Sequence, residues 1–169
     1  MVRRANSGDE GAFEALYYRH RDWVARLAWR FTGNREDALD VLQETFAYLS
    51  RKFPGLTLSA SMTTFLYPVV KNLSINIRRR TARYVSNENV LDIQQARQES
   101  HGEREELAAV FQALPEGQRE VVLMRFVDAM TLEEIAVSLE IPVGTVKSRL
   151  HNALKALASD PRTKRYFLE

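Results

Sequence analysis

The chain has 169 residues, 45% of them hydrophobic, with a formal net charge of only +2, which suits one medium or two small folded domains and excludes a disordered polyelectrolyte. It contains no cysteine, so disulfides, thiolate catalysis and cysteine-ligated zinc are excluded. No stretch approaches the roughly 18 consecutive apolar residues of a membrane span, and the opening MVRRANSGDEGAF reads as neither a secretory nor a transit leader; a cytoplasmic protein without membrane insertion is expected.

Almost every segment carries a helical period. Phe13, Leu16, Tyr17, Val24, Leu27 and Phe31 repeat on one stripe, and Thr32-Gly33-Asn34 supplies a glycine stop signal. A second helix is expected over about 36–50. A loop rich in Gly, Ser and Thr (54–64) then leads to a third helix over about 65–80. Periodicity fades from Thr81 to about Gly102, where polar residues take over, so this stretch reads as a tether with at most a loose helical piece. Helix resumes near Glu103, breaks at Leu114-Pro115 and restarts over 116–126. Strand signals are weak. The predicted fold is all-α: two small helical domains, 5–80 and 104–161, joined by a flexible linker at 81–103.

The last third carries the strongest pattern. Between Thr131 and Ala153 two short amphipathic helices meet at a tight turn, the layout that lays one helix in a DNA major groove and braces it with another. Thr131 and Glu134 have capping-box spacing, and Leu132, Ile135, Ala136 and Leu139 form an apolar stripe. Glu140-Ile141-Pro142 ends that run. In the next helix Val146, Leu150, Ala153 and Leu154 share one face. Opposite them, at about 100° per residue, lie Gly144, Thr145, Ser148, His151 and Asn152, flanked by Lys147 and Arg149. Short polar groups edged by cations suit base reading bordered by phosphate contacts. Two surface helices of an ordinary bundle give a similar pattern.

Two further faces stand out. On the 36–50 helix, Ala38, Leu42, Thr45, Phe46 and Leu49 cluster on one side, and Asp40, Gln43, Glu44 and Ala47 lie opposite, where they form either a solvated face or a seat for a basic partner helix. From Lys71 to Asn87 there are five cations (Lys71, Arg78, Arg79, Arg80, Arg83) and no acid. A polyanion partner or a solvated helix end accounts for that run. The 65–80 helix should bury Leu66, Val70, Leu73 and Ile77 and present Lys71, Asn72, Ile75, Arg78 and Arg79. Phe65 and Tyr67 beside these cations are either base-stacking groups or core.

With both halves laid out, the chain resembles the sigma-70 family of RNA polymerase initiation factors, in its extracytoplasmic-function (ECF) group. Four motifs in family order carry the resemblance: DALDVLQETF at 37–46, FLYPVVKNLSINIRRR at 65–80, LPEGQREVVLMRFVDAMTLEEIA at 114–136 and PVGTVKSRL at 142–150. The resemblance implies a factor that directs core polymerase to specific promoters and initiates transcription under an anti-sigma factor. Asp40, Gln43 and Glu44 match positions that bind the clamp helices of the largest polymerase subunit. Phe65, Lys71, Asn72, Arg78 and Arg79 match the face that engages the −10 element, with the Ser59–Thr64 loop shaping a pocket for a flipped base. Thr145, Lys147, Ser148, Arg149 and His151 match −35 reading and phosphate-gripping positions, and the same half contacts the flap of the second-largest subunit. Five positions depart from the family pattern. Phe65 stands for tryptophan, Pro68 for a helical arginine, Ala129 and Glu140 for glycine, and Asn152 for arginine. A proline inside a helix costs about 3 kcal/mol unless the helix starts late or kinks.

The competing reading is a stand-alone helix-turn-helix repressor or activator. It uses the last third but leaves the Asp40/Gln43/Glu44 face and the Lys71–Arg83 cluster without a role. Enzymatic, metal and cofactor readings have no support: His20, His101 and His151 fall on separate segments, and no H-E-x-x-H, P-loop or Gly-x-Ser-x-Gly pattern occurs.

Overall fold

In the computed structural model, the structure describes the backbone of residues 1–87 and 103–163, and side chains of 1–82 and 108–163. The expected tether, and with it His101, lies outside the described residues apart from its first residues. The chain divides into two units, Met1–Leu91 and Asp92–Glu169. Every described element is helical. No described helix is long and apolar enough to cross a membrane.

The first unit is built on α2 (Glu10–Thr32), which starts where the Asp9 carboxylate accepts the Ala12 N–H and stops at Gly33, whose φ of 77° is a left-handed conformation glycine adopts without a Cβ penalty. The next residue, Asn34, caps α3 (Arg35–Ser50): its side-chain oxygen accepts the Asp37 N–H at 2.8 Å, and its amide donates back to the Asp37 carboxylate. That carboxylate also accepts from Thr81 on α4 (Met62–Asn87), tying the start of α3 to the far part of α4. The three helices close on a core that includes Leu16, Val24, Leu27, Val41, Leu49, Leu66, Tyr67 and Val70, each 3% exposed or less. On α3, Val41, Thr45 and Leu49 are 0% exposed, while Leu42, expected in that stripe, is only half-buried. Buried Thr45 and Ser74 satisfy their hydroxyls on the Val41 and Val70 carbonyls. A short helix that the sequence pattern did not announce, α1 (Val2–Asn6), docks through Asn6, whose side chain bonds Gly55 and Leu56 of the α3–α4 connection.

α4 departs most from expectation. It begins three residues earlier than expected and runs on through Asn87, so 81–87 are helical and Phe65 lies inside the helix, not before it. The N–H of Thr64 bonds the Ser61 hydroxyl at 3.2 Å, starting the helix well before Pro68. Pro68 therefore sits in the helix interior, where it cannot donate to the Thr64 carbonyl one turn back. The helix persists because Leu66, Tyr67 and Val70 around it are buried. Replacing Pro68 with alanine restores that hydrogen bond and is expected to raise unfolding stability by up to about 3 kcal/mol. Denaturant titration checks this, and a lower midpoint would show that the half-buried ring is needed for packing.

The second unit comprises α5 (Glu103–Ala113), α6 (Glu116–Phe126), α7 (Leu132–Leu139) and α8 (Val143–Ser159). Val110, Leu114, Val122, Ala153 and Leu157 make a shared core with Phe111 and Leu150 against it. Arg119 ties the α5–α6 corner by donating to the Gln112 side chain and to the Gln112 and Leu114 carbonyls, the groups that a helix end leaves unpaired.

Candidate nucleic-acid and partner interfaces

α7 and α8 are held at a fixed corner by local chemistry. Both bonds of the capping box form, Thr131 Oγ1 accepting the Glu134 N–H at 3.1 Å and the Glu134 carboxylate accepting the Thr131 N–H at 2.9 Å. Glu140 then takes φ 54°, ψ 42°, a left-handed conformation that costs a non-glycine residue about 1–2 kcal/mol. Its turn is closed by the Ile141 N–H on the Ala136 carbonyl. Ala129, before the capping box, also has φ 54°. Pro142 precedes α8 and brings no side-chain cap; its carbonyl accepts the Thr145 and Val146 N–H groups, so the amides of Val143 and Gly144 are the ones offered to an anion.

On α8, Gly144, Lys147, Ser148, His151 and Asn152 are exposed and Thr145 is half-buried, while Val146, Ala153 and Leu157 turn inward. Nothing lies within 4 Å of the position a Gly144 Cβ would take, so the backbone is open to close approach there. Ser148 Oγ donates to the Thr145 carbonyl at 3.0 Å, which leaves its oxygen lone pairs facing outward as acceptors. Arg149 departs from the flanking position assigned to it. It is half-buried and its guanidinium lies over Gly117 of α6, with Nη1 3.0 Å from the position a Cβ there would take. Gly117 gives that side chain its room, and Arg149 packs across the α6–α8 contact instead of reaching freely outward.

In the first unit, Asp40, Gln43, Glu44 and Ala47 are exposed along one stripe of α3, as the helical period requires. Leu39, 46% exposed, joins them; sequence reasoning missed it, although one turn of helix places it beside Gln43. On α4, Asn72, Arg78 and Arg79 are exposed and Lys71 is half-buried. Arg78 gives one donor to the Phe31 carbonyl at the end of α2, at 3.2 Å, and keeps the rest of its fork outward. Ile75, expected to stand outward, is half-buried. Tyr67 is 1% exposed and edge-on to Phe31 at 6.1 Å, so of the two aromatics weighed for stacking it belongs to the core. Phe65 is half-buried. Met62 to Thr64, expected in a loop, form the first turn of α4. Arg83 has no described side chain.

His20 is half-buried on α2, and burial, reinforced by Arg19, pushes its imidazole below the ordinary histidine value. Both causes favour the neutral imidazole.

Two family models match this chain: Sigma-70 region 2 over residues 16–84 and Sigma-70 region 4 over residues 104–157. The ECF RNA polymerase sigma factor SigW of Bacillus subtilis is 28% identical over 95% of either chain. The ECF RNA polymerase sigma-E factor of Escherichia coli is 29% identical over 93% of this chain and 90% of its own. Among solved structures, CnrH in complex with the cytosolic domain of CnrY superposes with a TM-score of 0.68 at 24% identity, covering 94% of this chain and 92% of that one. RpoE of Bartonella quintana in complex with the anti-sigma factor NepR gives a TM-score of 0.64 at 18% identity, covering 87% and 94%. The helical units, their order and the two matched regions, which together span well over half of the sequence, agree: the chain belongs to the sigma-70 family of RNA polymerase sigma factors, in its extracytoplasmic-function group.

Proposed function

We propose that the protein is a cytoplasmic promoter-specificity subunit whose first unit docks on core RNA polymerase and holds a melted −10 strand, while the second reads the −35 duplex. The observation that carries this reading is the stripe of Leu39, Asp40, Gln43 and Glu44 on α3. It is exposed, no described group pairs with Asp40, Gln43 or Glu44, and it lies in the same unit as the cationic face of α4. An acidic and amide surface has no use against DNA, whose phosphates repel it. It suits a protein helix carrying arginines, which a stand-alone repressor does not require. Lys71, Asn72, Arg78 and Arg79 then follow the strand, with Phe65 for stacking. The exposed amides and polar side chains at the start of α8 take the major groove, with Thr145, Ser148 and His151 toward bases and Lys147 toward phosphate.

The second unit also exposes Phe126, Val127 and Val137 at 55–63%. Apolar groups of that size in water suit a protein contact, and the polymerase flap is the proposed partner. The relative crystallised with an anti-sigma factor supports control of this chain by an inhibitor of that kind.

The test adds purified core polymerase. Alone, the chain is expected to bind promoter duplex weakly; with core it is expected to direct run-off transcription from selected promoter fragments. Tight, specific duplex binding without polymerase favours the repressor reading instead.

A further inference from the structure

The α3–α4 connection (51–61) is closed at its base by an aromatic stack in which Phe65 meets Tyr48, a residue without a role so far. Phe65, in the first turn of α4, lies nearly parallel to Tyr48 in the last turn of α3, with centroids 6.4 Å apart and ring planes at 25°. The ammonium of Lys52, the second residue of the connection, lies over the Tyr48 ring 4.8 Å from its centroid. Both rings are half-buried, whereas Tyr67, a core aromatic of the same helix, is 1% exposed. The stack therefore keeps ring surface accessible where the connection meets α4. Beside it, Ser61 Oγ is within 2.9 Å of Thr63 Oγ1 and 2.8 Å of the buried Thr64 Oγ1, which leaves the Ser61 and Thr63 hydroxyls accessible to a base edge.

We propose that Tyr48 is a positioning residue for capture of an unpaired promoter base: it fixes Phe65 as a stacking platform at the mouth of the α3–α4 connection, and Lys52 supplies a cation to the adjoining backbone. This rests on the reading that the first unit engages a melted strand. An isolated phenyl ring at a surface samples several rotamers, and a stacked neighbour removes that freedom before the base arrives, so less is lost on binding. The cation–π contact does the same for the long lysine side chain. Base–aromatic stacking tolerates any base, so Tyr48 is expected to govern how firmly a base is held, and the Ser61 and Thr63 hydroxyls which base is preferred.

The experiment uses holoenzyme assembled from the full chain and core polymerase. Its probes are a fork-junction promoter DNA, with 2-aminopurine placed at successive unpaired non-template positions, and the matching full duplex. Wild type is expected to prefer the fork and to quench one position. Tyr48→Leu keeps apolar bulk without a ring; it is expected to lose that quench and about tenfold in fork affinity, with duplex binding unchanged. Tyr48→Phe is expected to retain both. Lys52→Gln is expected to lower the salt dependence of fork binding by about one charge. Wild-type quenching and affinity in Tyr48→Leu would overturn the positioning role and leave base capture standing, as would a Tyr48→Phe variant as poor as the leucine. An unchanged salt slope in Lys52→Gln would remove that residue from the site. If wild type itself does not distinguish fork from duplex, base capture by the first unit fails.

Discussion

Reversing charge at two positions of α3, Asp40→Lys with Glu44→Lys, is expected to abolish association with core polymerase while helical circular dichroism stays at the wild-type level. Both carboxylates are exposed and contribute no described hydrogen bond, so the fold loses little by their replacement. A charge-assisted hydrogen bond across an interface contributes about 1.5–3 kcal/mol. Losing two and adding like-charge repulsion should weaken binding at least 100-fold, by about 1.4 kcal/mol per factor of ten. Pull-down and fluorescence anisotropy against core polymerase measure it. Retained binding with intact helicity would refute the clamp-docking assignment and return the α3 face to a solvated surface. Leu39 offers a second probe of the same stripe, because its exposed side chain has no described core role.

Changing Ser148 and His151 to alanine is expected to relax or shift sequence preference within the −35 element without a uniform loss of affinity. A good base contact in the major groove contributes about 1–3 kcal/mol of discrimination, or roughly 5- to 150-fold at the base pair concerned. Lys147→Ala is expected to behave oppositely, weakening every sequence alike and flattening the salt dependence by about one charge. Selection from a randomised −35 library by holoenzyme, repeated at two salt concentrations, separates the outcomes. Unchanged preference after the Ser148 and His151 substitutions would move the reading face elsewhere on α8. Arg149→Ala, by contrast, carries a packing change with it. The guanidinium rests on Gly117, so its loss is expected to loosen the α6–α8 contact and lower thermal stability as well as affinity.

Where a signal is written in neighbouring residues, the sequence was readable. The stop at Gly33, the break at Leu114-Pro115, the Thr131–Glu134 box and the turn at Glu140 each depend on groups within a few positions of one another. The outward stripe of Asp40, Gln43 and Glu44, and that of Ser148 and His151, follow from helical period alone once an apolar face is known. Terminal signals were less reliable where long-range contacts compete with them. Pro68 within a helix expected from about 65 called for a late start or a kink, yet Ser61 begins α4 earlier and burial of Leu66, Tyr67 and Val70 carries it through the proline. The short α1 has no periodic signature; Asn6 anchors it to backbone about fifty residues away.

What the amino-acid order determined, then, is the set of helices, most of their caps and the side of each that faces water, because these depend on interactions within a turn or two. Tertiary packing decided which half-apolar residues became surface groups. It turned Tyr67 into core and left Phe65 on Tyr48, placed Arg149 against Gly117, tied Arg78 to the end of α2, and left Leu39 exposed beside the acidic stripe. Those outcomes turn on which neighbouring helix covers a given face, and helical period does not encode the identity of the neighbour.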